Sequence, residues 1–246
     1  MLSTHDTDLG ELSLRRRVEP VTGRCVYEVK LGEEFLMSSL FTAAEEAMAD
    51  LALQRLDPAP AGSRSVLVGG LGLGYTAVAA LRHPVVGSLT VVEALQPVIE
   101  WHEQRLLPCS ATLLQDARTD LVHADFFAAV ASGPEDAHAA FATKDTRGYD
   151  AVLLDIDHAP DQVLHPRHEG FYSIEGLRSM RDLLRADGVF ALWSDRPPDP
   201  AFTTRLREVF IDVHPEIVTF ANPLTRSEAA NTVYLARASD SGRSVR

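Results

Sequence analysis

From Gly10 to Leu40 the apolar and polar residues alternate: Leu12, Leu14 and Val18 share one parity, and Val26-Tyr27-Glu28-Val29-Lys30-Leu31 follows a turn at Pro20 and Gly23. A period of two sends neighbouring side chains to opposite faces, so this stretch predicts a small antiparallel hairpin. The triplet Arg15-Arg16-Arg17 lies inside the alternation and reads as a solvated stretch. Thr42 precedes Glu45 at the spacing of a capping box, and Ala47, Met48, Leu51, Ala52 and Leu56 supply the apolar stripe of the helix it would start. Asp57-Pro58-Ala59-Pro60-Ala61-Gly62 then reads as a linker.

Beyond the linker, short apolar runs alternate with helical patterns. Strands are predicted at Ser65–Val68, Ser88–Val92, Asp120–His123, Asp150–Leu154 and Gly188–Trp193, with helices starting near Thr76 and Gln96, spanning Ile174–Arg185, and starting at Pro200. Strand-helix alternation of this kind argues for parallel strands joined by right-handed crossovers, with helices on both faces of the sheet. Two further runs, Ile217–Phe220 and Asn231–Ala236, read as an antiparallel pair around Asn222-Pro223 that closes a seven-stranded sheet. The polar stretch Ser132–Gly148 reads as a loop. The expected organisation is therefore a hairpin and helix over 1–56, a Rossmann-like α/β domain over 57–238, and a frayed tail over 239–246.

Composition narrows the class. Apolar residues are 46% and charged residues 24% of the 246, which gives enough apolar surface for a core and argues against disorder. The net charge of −12 would repel a phosphate backbone, which removes nucleic acid from the expected partners and leaves room for a cationic small molecule. Cys25 and Cys109 suggest neither a disulfide framework nor a zinc site. No run has the length of a membrane span and residues 1–20 lack a secretory apolar segment, so no membrane partner and a cytoplasmic location are expected.

Four segments carry candidate chemistry. Val66-Leu67-Val68-Gly69-Gly70-Leu71-Gly72-Leu73-Gly74-Tyr75-Thr76 runs a buried strand into a glycine turn and a helix start, where free N–H groups can face a ligand. Glu93 ends the next strand about 20 residues on, the position from which a carboxylate accepts hydrogen bonds from ribose hydroxyls. Asp125, in His123-Ala124-Asp125-Phe126-Phe127, either accepts an adenine amino group or caps the helix after it. Asp155-Ile156-Asp157-His158 emerges from a central apolar strand as a proton-accepting corner, in which Asp155 and Asp157 need not share a role and no further ligands stand at metal-site spacing. Asp195, after Trp193-Ser194, meets an acceptor amine or caps a loop; Tyr75 stacks on a ligand or supports the turn. Trp101 and His102 read as surface or packing positions, and His165 and His168 as part of a lid.

With these segments in order, the chain resembles the spermidine synthase superfamily. Val66–Thr76 is similar to the V-L-x-x-G-G-G-D-G-G-T loop, Leu154-Asp155 onward to the D-x-x-D-P segment, and Phe171–Leu177 with Leu184–Phe190 to the F-x-x-E-F-Y helix and L-x-P-G-G-V strand. The resemblance implies a class I methyltransferase fold, S-adenosylmethionine or its decarboxylated form as cofactor, a small-molecule amine acceptor, no metal, and room for a homodimer. It implies that Gly70, Gly72 and Gly74 line the cofactor, Glu93 holds the ribose, Asp125 the adenine, and Asp155 takes the proton of the attacking amine. Beside these, Asp157 and His158 are further catalytic candidates at the same corner, and Asp195 and Tyr75 are candidate substrate contacts. Two positions depart from the pattern: the loop's acidic residue is Leu73, and the second aspartate of D-x-x-D is His158. The expected activity is an aminopropyl transfer to an amine. Methyl transfer is the alternative favoured by Leu73, and a nucleoside-binding regulatory protein without turnover is the alternative of another class.

Overall fold

The computed structural model describes residues 1–7, 9–142 and 147–239, so the expected tail beyond 239 lies outside the described residues. Two sheets form. The first is antiparallel, in the order β1-β2-β3-β4, from Ser3–Thr7, Gly10–Val18, Cys25–Leu31 and Glu34–Ser38. The predicted hairpin is thus the middle of a four-stranded sheet; Ser3–Thr7 has no apolar alternation to reveal it. The arginine triplet is not simply solvated. Arg15 stands opposite Glu28 on β3, and Arg17 Nη2 lies 2.7 Å from the same carboxylate, which is 4% exposed.

The second sheet has seven strands in the order β10-β11-β9-β8-β5-β6-β7. These are β5 (Arg64–Gly69), β6 (Val86–Glu93), β7 (Thr119–His123), β8 (Tyr149–Leu154), β9 (Leu184–Ser194), β10 (Ile211–Asn222) and β11 (Ser227–Arg237), with only β10 and β11 antiparallel to their neighbours. This is the class I methyltransferase fold. Helices α1 (Ala43–Gln54), α2 (Tyr75–Leu81), α3 (Gln96–Glu103), α4 (Ser110–Gln115), α5 (Phe126–Ala131), α6 (Pro134–Ala140), α7 (Ile174–Arg181) and α8 (Pro200–Arg207) flank it. None of the described helices is long and apolar enough to cross a membrane.

Side-chain parity divides the core. Val66, Val68, Ala151, Leu153, Val189 and Ala191 enter one cluster, shared with Met48 and Ala52 of α1 and with Leu12, Leu14 and Val29 of the first sheet. Leu67, Val152, Leu154, Phe190 and Leu192 enter the other, with Phe126, Leu177, Met180, Phe202 and Leu206 from α5, α7 and α8. Central strands buried on both faces must be nearly continuous apolar runs, which is why they were readable. One buried acid pins their start: Asp150, 3% exposed, accepts from Arg64 Nη1 at 2.7 Å, Arg185 Nη1 at 2.6 Å and the Ser65 N–H at 2.8 Å.

Three expectations are corrected. The stretch Ser132–Gly148 is not all loop, because Pro134 at the first turn starts α6, whose Ala137 and His138 are buried. The helix from Ile174 stops at Arg181, and β9 starts at Leu184, where a register shift between Tyr149 and Ala151 absorbs extra residues. No capping box forms at α1. Thr42 makes no side-chain cap; its hydroxyl donates to Glu46 Oε1 at 2.9 Å, and Glu45 is left for another task.

Candidate active site

The chain runs from β5 through β6 to β7 on one side, then crosses to β8 on the other, so a crevice opens at the carboxyl ends of β5 and β8. Every candidate residue but Asp157 reaches this edge. Gly70 has φ +93°, and a Cβ there would come 2.1 Å from the Asp155 carbonyl oxygen. Only glycine lets the loop pass that strand end. Gly74, at φ +91°, is the N-cap of α2, and a Cβ on it would meet Leu113, Cys109 and His102.

Glu93 holds the loop from the next strand. Its Oε2 accepts from the Leu71 N–H at 3.1 Å and more weakly from Gly72 at 3.4 Å, while Oε1 accepts from Leu95 at 2.9 Å. Burial raises its pKa and these amides oppose the rise. His102 supports the same loop from α3. It is fully buried, its Nε2 donates to the Gly72 carbonyl at 2.9 Å, and Ser110 Oγ lies 3.3 Å from Nδ1. Desolvation lowers its pKa, which keeps the ring neutral.

Two adjoining cavities result. The smaller, about 110 Å³, is lined by Gly70, Gly72, Glu93, Asp125, Phe126 and Asp155 among others. Asp125 caps α5, its Oδ1 accepting from the Ala128 N–H at 3.0 Å, and it also lines this cavity. The larger, about 340 Å³, is lined by Glu45, Leu73, Gly74, Tyr75, Asp155, His158, Trp193 and Asp195, with Phe35, Phe41 and Phe220 as further apolar wall. Asp155 is the one titratable residue, among those described, that lines both. Thr76 donates to its Oδ2 at 2.7 Å, and burial pushes its pKa up to about 6.

Asp157 points the other way and lines neither cavity. Its oxygens accept from the Leu164 N–H, His168 Nδ1 and the Tyr172 hydroxyl, each at 2.8 Å. Phe127 stacks on His168 at 4.1 Å between centroids, so this buried acid anchors the segment leading into the 3-10 helix Pro166–Tyr172. His165 accepts from the Arg167 N–H at that helix's start. His158 sits between Glu34 of the first sheet, 3.3 Å from Nε2, and Asp195, 3.8 Å from Nδ1. Tyr75 lies in the cavity wall with its phenol pushed up to about 12 by burial. The indole N–H of Trp193, in the same wall, has no partner among the described residues.

Two site residues escaped the sequence reading. His102 follows Val98 and Trp101 at helical spacing, which places it on the buried face of α3. Glu45 was assigned to a cap that does not form; instead it lines the larger cavity, and burial together with the nearby Asp155 charge pushes its pKa up to about 8.

The comparisons agree with this architecture. Among curated proteins none matches the sequence. Solved structures of the same fold include a spermidine synthase in complex with the transition state analogue AdoDATO, at TM-score 0.71 and 17% identity over 96% of this chain and 73% of that one. The spermidine synthase of Thermotoga maritima is similar at TM-score 0.69 and 17% identity, over 96% and 72% of the two chains. Human methyltransferase-like protein 13 in complex with SAH aligns at TM-score 0.52 and 16% identity, over 83% of each chain. The model of the spermine/spermidine synthase domain matches residues 42–204, more than half of the sequence and including the glycine loop, Glu93, Asp125 and Asp155, so the chain belongs to that family.

Proposed function

We propose that the protein is a transferase that binds decarboxylated S-adenosylmethionine in the smaller cavity and moves its aminopropyl group to a small amine in the larger one. The observation that carries this reading is the position of Asp155, the titratable residue shared by the two cavities. In the reaction, the neutral amine nitrogen attacks the carbon beside the sulfonium, the carbon–sulfur bond breaks, and methylthioadenosine leaves. Asp155 accepts the proton the nitrogen gives up. The carboxylate is within the wall on the acceptor side, and its raised pKa suits proton exchange near neutrality. Glu93, whose second role is to hold the glycine loop, takes the ribose hydroxyls; Asp125 takes the adenine. Gly70 and Gly72 line both cavities without side chains, and a Cβ on them would meet the Asp155 carbonyl oxygen and Met37 Sδ, so the loop presents bare backbone to such a ligand. The aromatic and acidic wall of the larger cavity, without Lys or Arg among its lining residues, suits a cationic acceptor.

A second reading, methyl transfer from S-adenosylmethionine, is favoured by Leu73, which lines the larger cavity where the family pattern has an acid. Calorimetric titration with decarboxylated S-adenosylmethionine, S-adenosylmethionine and methylthioadenosine decides between them. Tighter binding of the decarboxylated form supports aminopropyl transfer, and tighter binding of the carboxylated form overturns it for methyl transfer. Binding of the nucleosides with no turnover across an amine screen overturns both in favour of a regulatory protein.

A further inference from the structure

We propose that His168 is a specificity-determining residue for the base, its Nε2 accepting a hydrogen bond from the exocyclic amino group of a nucleoside in the smaller cavity. This deepens the proposed function and rests on it. His168 belongs to the 3-10 helix Pro166–Tyr172 and is only 8% exposed, yet it lines the smaller cavity together with Asp125 and Phe127. Its ring is fixed from behind. Nδ1 lies 2.8 Å from Asp157 Oδ1, and Asp157 is itself held by the Leu164 N–H and the Tyr172 hydroxyl. Phe127 stacks on the imidazole at 4.1 Å between centroids and 30° between planes, so the ring cannot turn without losing both contacts. No described residue bonds Nε2, and the side chain keeps 11% of its surface open. Anchoring the segment requires Nδ1 alone; a second, unpartnered nitrogen on a buried ring beside a cavity is what that role leaves unexplained.

The partner of Nδ1 decides what Nε2 can do. Asp157 receives donors on both oxygens, so it acts as the acceptor toward Nδ1–H, and the neutral imidazole carries its lone pair on Nε2. A lone pair facing a cavity calls for a donor on the ligand. Adenine offers donors at one place, its amino group, while its ring nitrogens are acceptors. Asp125, two residues before Phe127, spends Oδ1 on the Ala128 N–H and leaves Oδ2 without a partner among the described residues. The two hydrogens of one amino group can therefore meet a carboxylate oxygen and an imidazole nitrogen. A 6-oxo base would turn an oxygen toward both acceptors and leave them unpaired, which a partly desolvated site penalises. Arg167 also lines the cavity, but its Nε is turned to His165 Nδ1 at 3.3 Å.

The test uses the full chain and the variant His168→Asn, whose amide nitrogen stands where Nδ1 does and keeps the bond to Asp157 while Nε2 is lost. Both proteins are titrated calorimetrically with methylthioadenosine and with its des-amino analogue, the purine nucleoside that lacks only the exocyclic amine. The variant should bind methylthioadenosine roughly threefold to tenfold more weakly, the scale of one lost neutral hydrogen bond, and the des-amino analogue within about twofold of wild type. Equal weakening of both ligands overturns the proposal, because a displaced segment would not distinguish them; unchanged binding of both overturns it as well. A second measurement needs no substitution. Nitrogen NMR of labelled histidine in the wild-type protein should show the His168 proton on Nδ1, and an Nε2 resonance that responds to methylthioadenosine as an acceptor does and not to the des-amino analogue. A proton on Nε2 in the complex overturns the assignment. Failure of the wild type to bind either nucleoside refutes the proposed function, whereas wild-type binding with no distinction between the two ligands in the variant refutes the role of His168 alone.

Discussion

Replacing Glu93 with Ala perturbs two things that can be measured apart. In the protein alone, the carboxylate accepts from three backbone N–H groups, two of them at 2.9 and 3.1 Å and the third, at 3.4 Å, near the limit of a useful bond. At about 0.5–1.5 kcal/mol net for each good bond, and with the amides left on a half-buried edge, stability should fall by about 1–3 kcal/mol. In the complex, two ribose hydroxyls lose a charged acceptor, worth about 1–3 kcal/mol more, or roughly fivefold to 150-fold in affinity. Urea denaturation followed by circular dichroism gives the first quantity. Calorimetric titration with methylthioadenosine, at a temperature where the variant is still fully folded, gives the second. Glu93→Gln keeps the shape but presents an amide NH₂ toward donors, so it should bind the nucleoside nearly as poorly while staying folded. A folded Ala variant whose dissociation constant is within twofold of wild type refutes the ribose assignment, whatever its stability.

Two further outcomes follow from the same geometry. Asp155→Asn keeps the acceptor oxygen for Thr76 but removes the base, so single-turnover rates should fall roughly 10²–10⁴-fold with nucleoside affinity nearly intact. Because burial raises the Asp155 pKa to about 6, its ionised form is gained as pH rises through that value; the wild-type rate should climb there, and the Asn variant should lack that limb while keeping the one set by the acceptor's own amine. A full-rate Asn variant with a dead His158→Ala would move the base to the imidazole. Asp150→Ala leaves Arg64 and Arg185 facing each other around a vacated buried position and should cost about 2–4 kcal/mol in chemical denaturation, below the full figure for a buried pair because both arginines are about a fifth exposed. A loss under about 1 kcal/mol would show that solvent already screens this cluster.

The central fold was legible because β5, β8 and β9 are apolar on both parities, and no other arrangement hides both faces at once. The glycine loop, Glu93, Asp125 and Asp155 were legible for a related reason: each follows a readable strand, so position along the chain fixed position on the sheet edge. Asp155 and Asp157, two residues apart, would share a face of a continuing strand, but β8 ends at Leu154 and the turn after it buries Asp157 beneath the loop while Asp155 faces the cavities. Glu45 was not legible. Its local pattern fits a capping box as well as a side chain turned toward the sheet edge, and the choice depends on α1 packing against β8 and β9, which begin 95 and 130 residues after α1 ends. Short helices such as α6 were hidden by polar composition, since seven residues with two buried positions leave little periodicity to count.

The larger cavity draws its walls from both ends of the sequence: Phe35 and Phe41 come from the first sheet and its exit, Phe220 and Asn231 from the last hairpin, and the Phe41 and Phe220 rings meet at 5.8 Å. A growing polypeptide therefore completes Gly70, Glu93, Asp125 and Asp155 well before it can close the compartment next to them. In chain order the smaller cavity's residues come first, and the larger cavity waits for the hairpin to fold back across nearly the whole length already made. Closing such a long loop adds little thermodynamic cost but delays the event, so the order of assembly is written into the connectivity. Residues lining the late-forming side can change in evolution, through the hairpin alone, without disturbing the half that folds before it.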